Sequence, residues 1–289
     1  MSDFNDKVVI VTGAGGGIGR HHALEFARRG ASVVVNDLGS GVHGDGSGQM
    51  ADRVVEEIRA AGGTAVANYN SVADQEQAAG IVDQAVAEFG TVDIVVNNAG
   101  ILRNRTLKNM PIEDFELIIQ VHLMGTVYVT HAAWPIMYRN NYGRVVFTSS
   151  TSGIYGNFGH SAYGTAKMAM LGLMNVLALE GRDHNIRVNC IAPGADTRMT
   201  ALDTERGIDP DHPRDTMHPR LIAPAALFLS DEDAPTGVTL HAMGGKFFRS
   251  ETARNEGVEL GSDATYEDLL EHRDELLDLS STRLRELPD

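Results

Sequence analysis

The 289 residues suffice for one large α/β domain or two small ones, and a 43% hydrophobic content supplies a sizeable core. A net charge of −15 argues against nucleic acid as a main partner, and the lone cysteine, Cys190, excludes an intramolecular disulfide and fits a reducing compartment. No apolar run approaches the roughly 20 residues of a bilayer span, and residues 1–6 are polar and acidic, unlike a signal peptide, so no membrane partner and a cytoplasmic location are expected.

Apolar β-branched runs alternate with helical periodicity from the start, the pattern of βαβ units and a parallel sheet. Residues 7–12 read as a strand and 17–29 as its crossover helix. Strand 32–36, helix 50–61, strand 64–68 and helix 73–89 follow. Then come strand 92–97, a long helix over 113–138, strand 143–148, helix 161–182 and strand 186–191. A helix ending over 224–230 and a short strand at 237–242 close the series. The expected fold is α/β: a single Rossmann-type, doubly wound parallel sheet of about seven strands, with helices on both faces.

This domain is expected over residues 1–250, active site included, followed by an acidic tail over 251–289. The tail holds 4 basic and 12 acidic residues, a balance of 4 − 12 = −8, and reads as a solvated face. Thr265 through Asp268 look like a capped helix start. Tyr266, Leu269, Leu270 and Leu277 then share one face, predicting a docked helix, with a neighbouring subunit among its candidate surfaces. The glycine-rich stretch 38–48 reads as a flexible loop near the adenosine end of a ligand or as a second phosphate loop. The helix over 161–182 is apolar nearly all round, which predicts burial on more than one side. A homodimer or homotetramer built on it and on the 113–138 helix is expected.

The first strand ends in Thr12-Gly13-Ala14-Gly15-Gly16-Gly17-Ile18-Gly19. Strand, glycine-rich turn and helix are the arrangement that holds a pyrophosphate: glycines let the backbone approach, and the helix N-terminus favours negative charge. Asp37 ends the second strand, 18 residues beyond Gly19 (37 − 19). A carboxylate there accepts from adenosine ribose hydroxyls and repels a 2′-phosphate. No Lys or Arg lies within 14–17 to offset it, so NAD is the expected cofactor.

Tyr163 and Lys167 are four apart on a helical segment and share a face. A nearby ammonium stabilises a phenolate, which lets a tyrosine work as acid or base near neutral pH. Ser150 ends the 143–148 strand run, where α/β sheets present groups to ligands. His160, His212 and His218 lack metal-ligand spacing, so no catalytic metal is expected.

Over residues 4–250 the chain resembles the short-chain dehydrogenase/reductase family. The carrying motifs are Thr12-Gly13-x-x-x-Gly17-x-Gly19, Asn97-Asn98-Ala99-Gly100, Ser150, Tyr163-x-x-x-Lys167 and Pro193-Gly194. The resemblance implies that Tyr163 is the catalytic acid/base, that Lys167 tunes it and binds the nicotinamide ribose, and that Ser150 orients the substrate oxygen. It also implies that Gly13, Gly17, Ile18 and Gly19 hold the cofactor, with Asn98, Ala99 and Gly100 along it. Pro193 and Gly194 would flank the nicotinamide, and Asn97 would be mainly structural. Three positions depart from the family pattern. His122 stands where most members have Asn, and either holds a relay water or fills a helix kink. Asn70 and Ser71 replace the usual Asp-Val against adenine. Thr197 follows Pro193 by four residues rather than five, which loosens its expected nicotinamide contact.

These departures, with segments such as Val121-His122-Leu123 and Thr148 through Gly159, are similar to one branch of the family. It is the (3R)-hydroxyacyl-CoA dehydrogenase domain of type-2 peroxisomal multifunctional enzyme and its bacterial relatives. That similarity implies NAD-dependent oxidation of a 3-hydroxyacyl-CoA, with a steroid or other secondary alcohol as the alternative substrate and a non-catalytic NAD sensor as a rival of another class. Arg103, Arg105 and Lys108 are candidates for CoA phosphates or a solvated loop. Tyr155, Phe158, Met199 and Met217 are candidates for an apolar pocket or the core.

Overall fold

A computed structural model describes residues 3–39, 41, 43, 49–203 and 208–284. Its larger unit spans Met1–Phe248. Runs of β-branched residues build β1 (Val8–Thr12), β2 (Ser32–Asn36), β3 (Thr64–Asn68) and β4 (Ile94–Asn97). They also build β5 (Gly143–Thr148), β6 (Ile186–Gly194) and β7 (Thr239–Met243). The sheet order is β3-β2-β1-β4-β5-β6-β7-β8, and the first seven pair in parallel. Every residue of β1, β4 and β5 is buried, as a parallel sheet covered on both faces requires.

Alternation along β1 sorts the core into two layers. Val9 and Val11 pack with Phe26 of α1 (Gly17–Arg28), Val54 of α2 (Met50–Ala60) and Ala226 of α9 (Ala223–Phe228). Val8 and Ile10 face the other layer, with Ile81 of α3 (Gln75–Phe89), Val129 of α5 (Gly125–Asn140) and Met174 of α7 (Ser161–Glu180). Strand order reverses between β1 and β4. The loops leaving these two strands therefore part and open a crevice at their C-terminal ends.

Four features differ from expectation. The long helix expected over 113–138 is α4 (Ile112–Ile119), a π-helical turn at Gln120–Met124, and α5. Such insertions recur at functional sites, and this one carries His122. Secondly, the sheet gains β8 (Lys246–Ser250). Gly244 and Gly245, at φ +57° and +77°, form the two-residue turn that reverses the chain after β7. Thirdly, two short helices, α6 (Thr151–Ile154) and α8 (Arg198–Asp203), follow β5 and β6. Lastly, α7 is 20 residues long with a mean hydropathy of 1.2, so by length and composition one apolar run does reach a membrane span. In the fold it is a crossover helix, with Ala166, Lys167, Met170 and Met174 buried. The glycine-rich stretch 38–48 lies largely outside the described residues.

The second unit spans Arg249–Asp289. It pairs β9 (Ala253–Arg254) antiparallel with β10 (Arg283–Leu284) and holds α10 (Tyr266–Glu271) and α11 (Arg273–Leu277). Thr265 and Asp268 form the reciprocal capping box expected from the sequence. The helix breaks at His272, and Tyr266, Leu269, Leu270 and Leu277 are exposed in the single chain.

Candidate active site

The turn from β1 into α1 is shaped by backbone crowding. Gly13 sits at φ +64°, and a Cβ on Gly19 would fall 2.2 Å from the Gly13 carbonyl oxygen. Asn98 locks this turn, donating from Nδ2 to the Thr12 and Gly13 oxygens at 3.0 and 3.1 Å. In return, the N–H groups of Asn98 and Ala99 donate to Thr12 Oγ1 at 3.0 and 3.1 Å. Asp37 accepts from Gly15 N–H at 2.8 Å and from Gly39 N–H at 2.7 Å, which fixes its carboxylate at the rim. No side chain caps α1, so its first amides open onto the crevice.

The crevice is a cleft of about 350 Å³ that gathers Gly13, Gly17, Ile18, Gly19, Asp37, Asn70, Ser71, Asn98, Ala99, Gly100, His122, Tyr163, Lys167, Pro193 and Thr197. Two predicted residues stand beside the cleft without lining it. A Cβ on Gly194 would stand 2.8 Å from Met243, so this glycine serves close packing on β7. Ser150 stands just past the cleft-lining Ser149, in extended backbone, where its Oγ accepts from Ser152 N–H at 3.1 Å and caps α6.

Lys167 is buried at 4% exposure, its Nζ donating to the Thr148 carbonyl at 2.7 Å and lying 5.6 Å from the Tyr163 ring centre. Burial pushes its ammonium down from 10.5 to about 7. His122 is fully enclosed. Its Nε2 lies 2.8 Å from the Ile101 oxygen and 3.1 Å from the Ile101 nitrogen. The Ile101 N–H donates to Nε2, and the buried Nδ1 has no partner among the described residues. Burial first, then the Lys167 charge, pushes this imidazole down to about 3, so it is neutral. The His122 ring meets Tyr163 edge-on at 5.3 Å.

Sequence reading missed His160, whose ring meets Tyr163 edge-on at 5.8 Å and whose Nε2 contacts Asn104 and Asn157 at 2.9 and 3.2 Å. Its place three residues before Tyr163, one helical turn away, was the available signal. Of the pocket candidates only Met199 lines the cleft; Tyr155 and Phe158 are 65% and 90% exposed, and the Met217 oxygen accepts from Asp196 N–H. Arg103 is engaged, paired with Asp114 at 2.5 Å and donating to the His43 oxygen at 2.9 and 3.0 Å, whereas Arg105 and Lys108 are exposed.

Residues 7–207 match the family model described as short chain dehydrogenase. The chain belongs to the short-chain dehydrogenase family. It is 44% identical, over 98% of both chains, to a putative short-chain type dehydrogenase/reductase of Mycobacterium tuberculosis. It is 49% identical over 242 residues to the peroxisomal multifunctional enzyme type 2 of Mus musculus, matching 83% of this chain but 32% of that one. A short chain dehydrogenase from Mycobacterium avium superposes with a TM-score of 0.82 at 40% identity, covering 94% of this chain and 95% of that one. A 7α-hydroxysteroid dehydrogenase solved with NADH and 7-oxo glycochenodeoxycholic acid superposes at 0.73 with 32% identity, covering 84% and 95%. This short-chain dehydrogenase is therefore an oxidoreductase acting on CH–OH groups. A nicotinamide dinucleotide is typical of the family, and the residues fit one: the glycine cradle and open amides of α1 would hold its phosphates, and Asp37 would accept from a ribose hydroxyl.

Proposed function

We propose that this short-chain dehydrogenase oxidises a 3-hydroxyacyl-CoA to the 3-ketoacyl-CoA with NAD. The observation that carries the reading is the 49% identity to the multifunctional enzyme of Mus musculus across the catalytic region. The chain spans 32% of that enzyme, so the rest of that protein's chemistry is not transferred. Asp37 supports NAD over NADP, because its anchored negative charge opposes a 2′-phosphate.

When bound, the nicotinamide supplies the hydride acceptor. Tyr163 takes the proton of the substrate hydroxyl. Ser150 keeps its own hydroxyl proton for the substrate oxygen, because its Oγ acts as acceptor toward Ser152. Lys167, when protonated, places positive charge beside Tyr163. His122, edge-on to Tyr163, has a ring nitrogen without a partner among the described residues, which supports holding a relay water rather than filling a kink alone. Arg105 and Lys108 are exposed and have no ion pair among the described residues, which makes them the candidates for CoA phosphates, since Arg103 is spent on Asp114. Exposed Met168 and Val176 on α7 support the expected homodimer or homotetramer, and a monomer by light scattering at micromolar protein contradicts it.

The test is NADH formation against (3R)- and (3S)-hydroxyacyl-CoAs of several lengths and free hydroxysteroids, each repeated with NADP. Turnover confined to hydroxyacyl-CoAs with NAD is the expected result. Turnover of free hydroxysteroids alone selects the second reading, which the hydroxysteroid dehydrogenase neighbour favours. Tyr163→Phe is expected to lower turnover by about 10²–10⁴-fold while NAD still binds, and unchanged turnover rejects the assigned acid/base.

A further inference from the structure

Arg198, the first residue of α8, faces the glycine loop. A Cβ built on Gly16 would stand 3.2 Å from Arg198 Nη2, and Nη1 reaches Met50 Sδ at 3.7 Å. Beside it, a Cβ on Gly17 would meet Thr197 Cγ2 at 3.5 Å, so the segment after β6 closes directly over the loop. Both Thr197 and Arg198 line the cleft.

Gly16 is the N-cap of the twelve-residue α1, and no side chain caps it. The first amides of a helix lack partners within it, and its N-terminus carries about half a positive charge. The guanidinium is thus held at the positive end of a helix whose donors are open. Among the described residues Arg198 pairs with no carboxylate, and Asp37, the acid at this rim, already serves the Gly15 and Gly39 amides. Two positive groups thus face the same gap. A doubly charged anion in that gap turns the repulsion into attraction on both sides.

We propose that Arg198 is a pyrophosphate clamp, gripping the dinucleotide phosphates against the N-terminus of α1 from the opposite wall. The proposal rests on the dinucleotide reading of the cleft and adds a residue from beyond β6 to it. The planar guanidinium fork suits two phosphate oxygens at once, which a lysine ammonium does not reproduce.

The experiment is calorimetric titration of the full chain with ADP-ribose and with adenosine, for wild type, Arg198→Met and Arg198→Lys. Arg198→Met is expected to weaken ADP-ribose about 10- to 100-fold and to leave adenosine within roughly twofold, as for other exposed substitutions. Arg198→Lys is expected to fall between. Wild-type ADP-ribose affinity is expected to drop more steeply with salt than that of Arg198→Met. Equal ADP-ribose affinity in wild type and Arg198→Met overturns the clamp and leaves the dinucleotide reading intact. An equal loss for both ligands overturns it as well. A wild type that binds neither ligand removes the dinucleotide reading and the clamp together.

Discussion

Lys167 is buried with the Thr148 carbonyl as acceptor of its ammonium, which burial pushes down from 10.5 to about 7. Its folded-state value lies below its unfolded one. The folded chain therefore binds fewer protons between those values, and stability falls as pH drops from 10.5 to about 7. Removing the amine relieves this cost most at the acid end of that window. Lys167→Met is expected to gain about 2–3 kcal/mol relative to wild type at pH 7 compared with pH 9.5, read from urea midpoints, and to lose turnover. A difference that does not change with pH contradicts the assignment. At this scale the motif residues were legible because glycine crowding and the Tyr163/Lys167 spacing are local constraints. The places of His160 beside Tyr163 and of Arg198 beside the glycine loop were not legible, since they depend on ring and loop contacts formed only after folding, Arg198 against a backbone far away in the sequence.

The segment after β6 is held by one buried acid. Asp196 accepts from Arg214 N–H at 3.1 Å and from its Nε and Nη2 at 2.8 Å, and its own N–H donates to the Met217 oxygen at 2.8 Å. The Arg214 guanidinium beside it holds its carboxyl below the usual range, so this clasp is present above pH ~4 and lost as pH falls further. Arg214 is more than half exposed, and solvent screening keeps the pair's effect on global stability small. Its effect is therefore local. Asp196→Asn is expected to speed hydrogen exchange over 208–218 by about tenfold while β1 and β5 stay protected, and unchanged exchange there rejects the clasp. The sequence placed the strands and crossover helices because buried parallel strands are continuous apolar runs. It did not show the π turn at Gln120–Met124, which preserves helical periodicity on both sides. Nor did β8 stand out, an edge strand whose residues are mostly exposed, although the Gly244-Gly245 pair was a readable hairpin signal.

Across the whole molecule the two core layers meet at the sheet, and histidines are built into both sides of it. His22 lies on the inner face of α1 at 0% exposure, and neither ring nitrogen has a partner among the described residues. Burial first, then the charge of His21, pushes it down to about 3, and His122 in the cleft is likewise pushed to about 3. Both must be neutral in the fold and both are free to protonate near 6.5 once unfolded. Their contribution is whole above pH 6.5 and is lost as pH falls toward 3, at about 1.4 kcal/mol per pH unit for each. Domains of this kind hold about 5–15 kcal/mol in all, so two such groups bring unfolding into the range of mild acid. The leucine side chain keeps comparable bulk without a proton to bind. His22→Leu is expected to leave turnover intact at pH 7 and to exceed wild type by about 2 kcal/mol more at pH 5 than at pH 7, measured by urea unfolding at both. Parallel pH profiles for the two proteins reject His22 as a source of acid lability. A steeper loss in wild type that persists undiminished in His22→Leu assigns the lability to His122 and to the carboxylates instead.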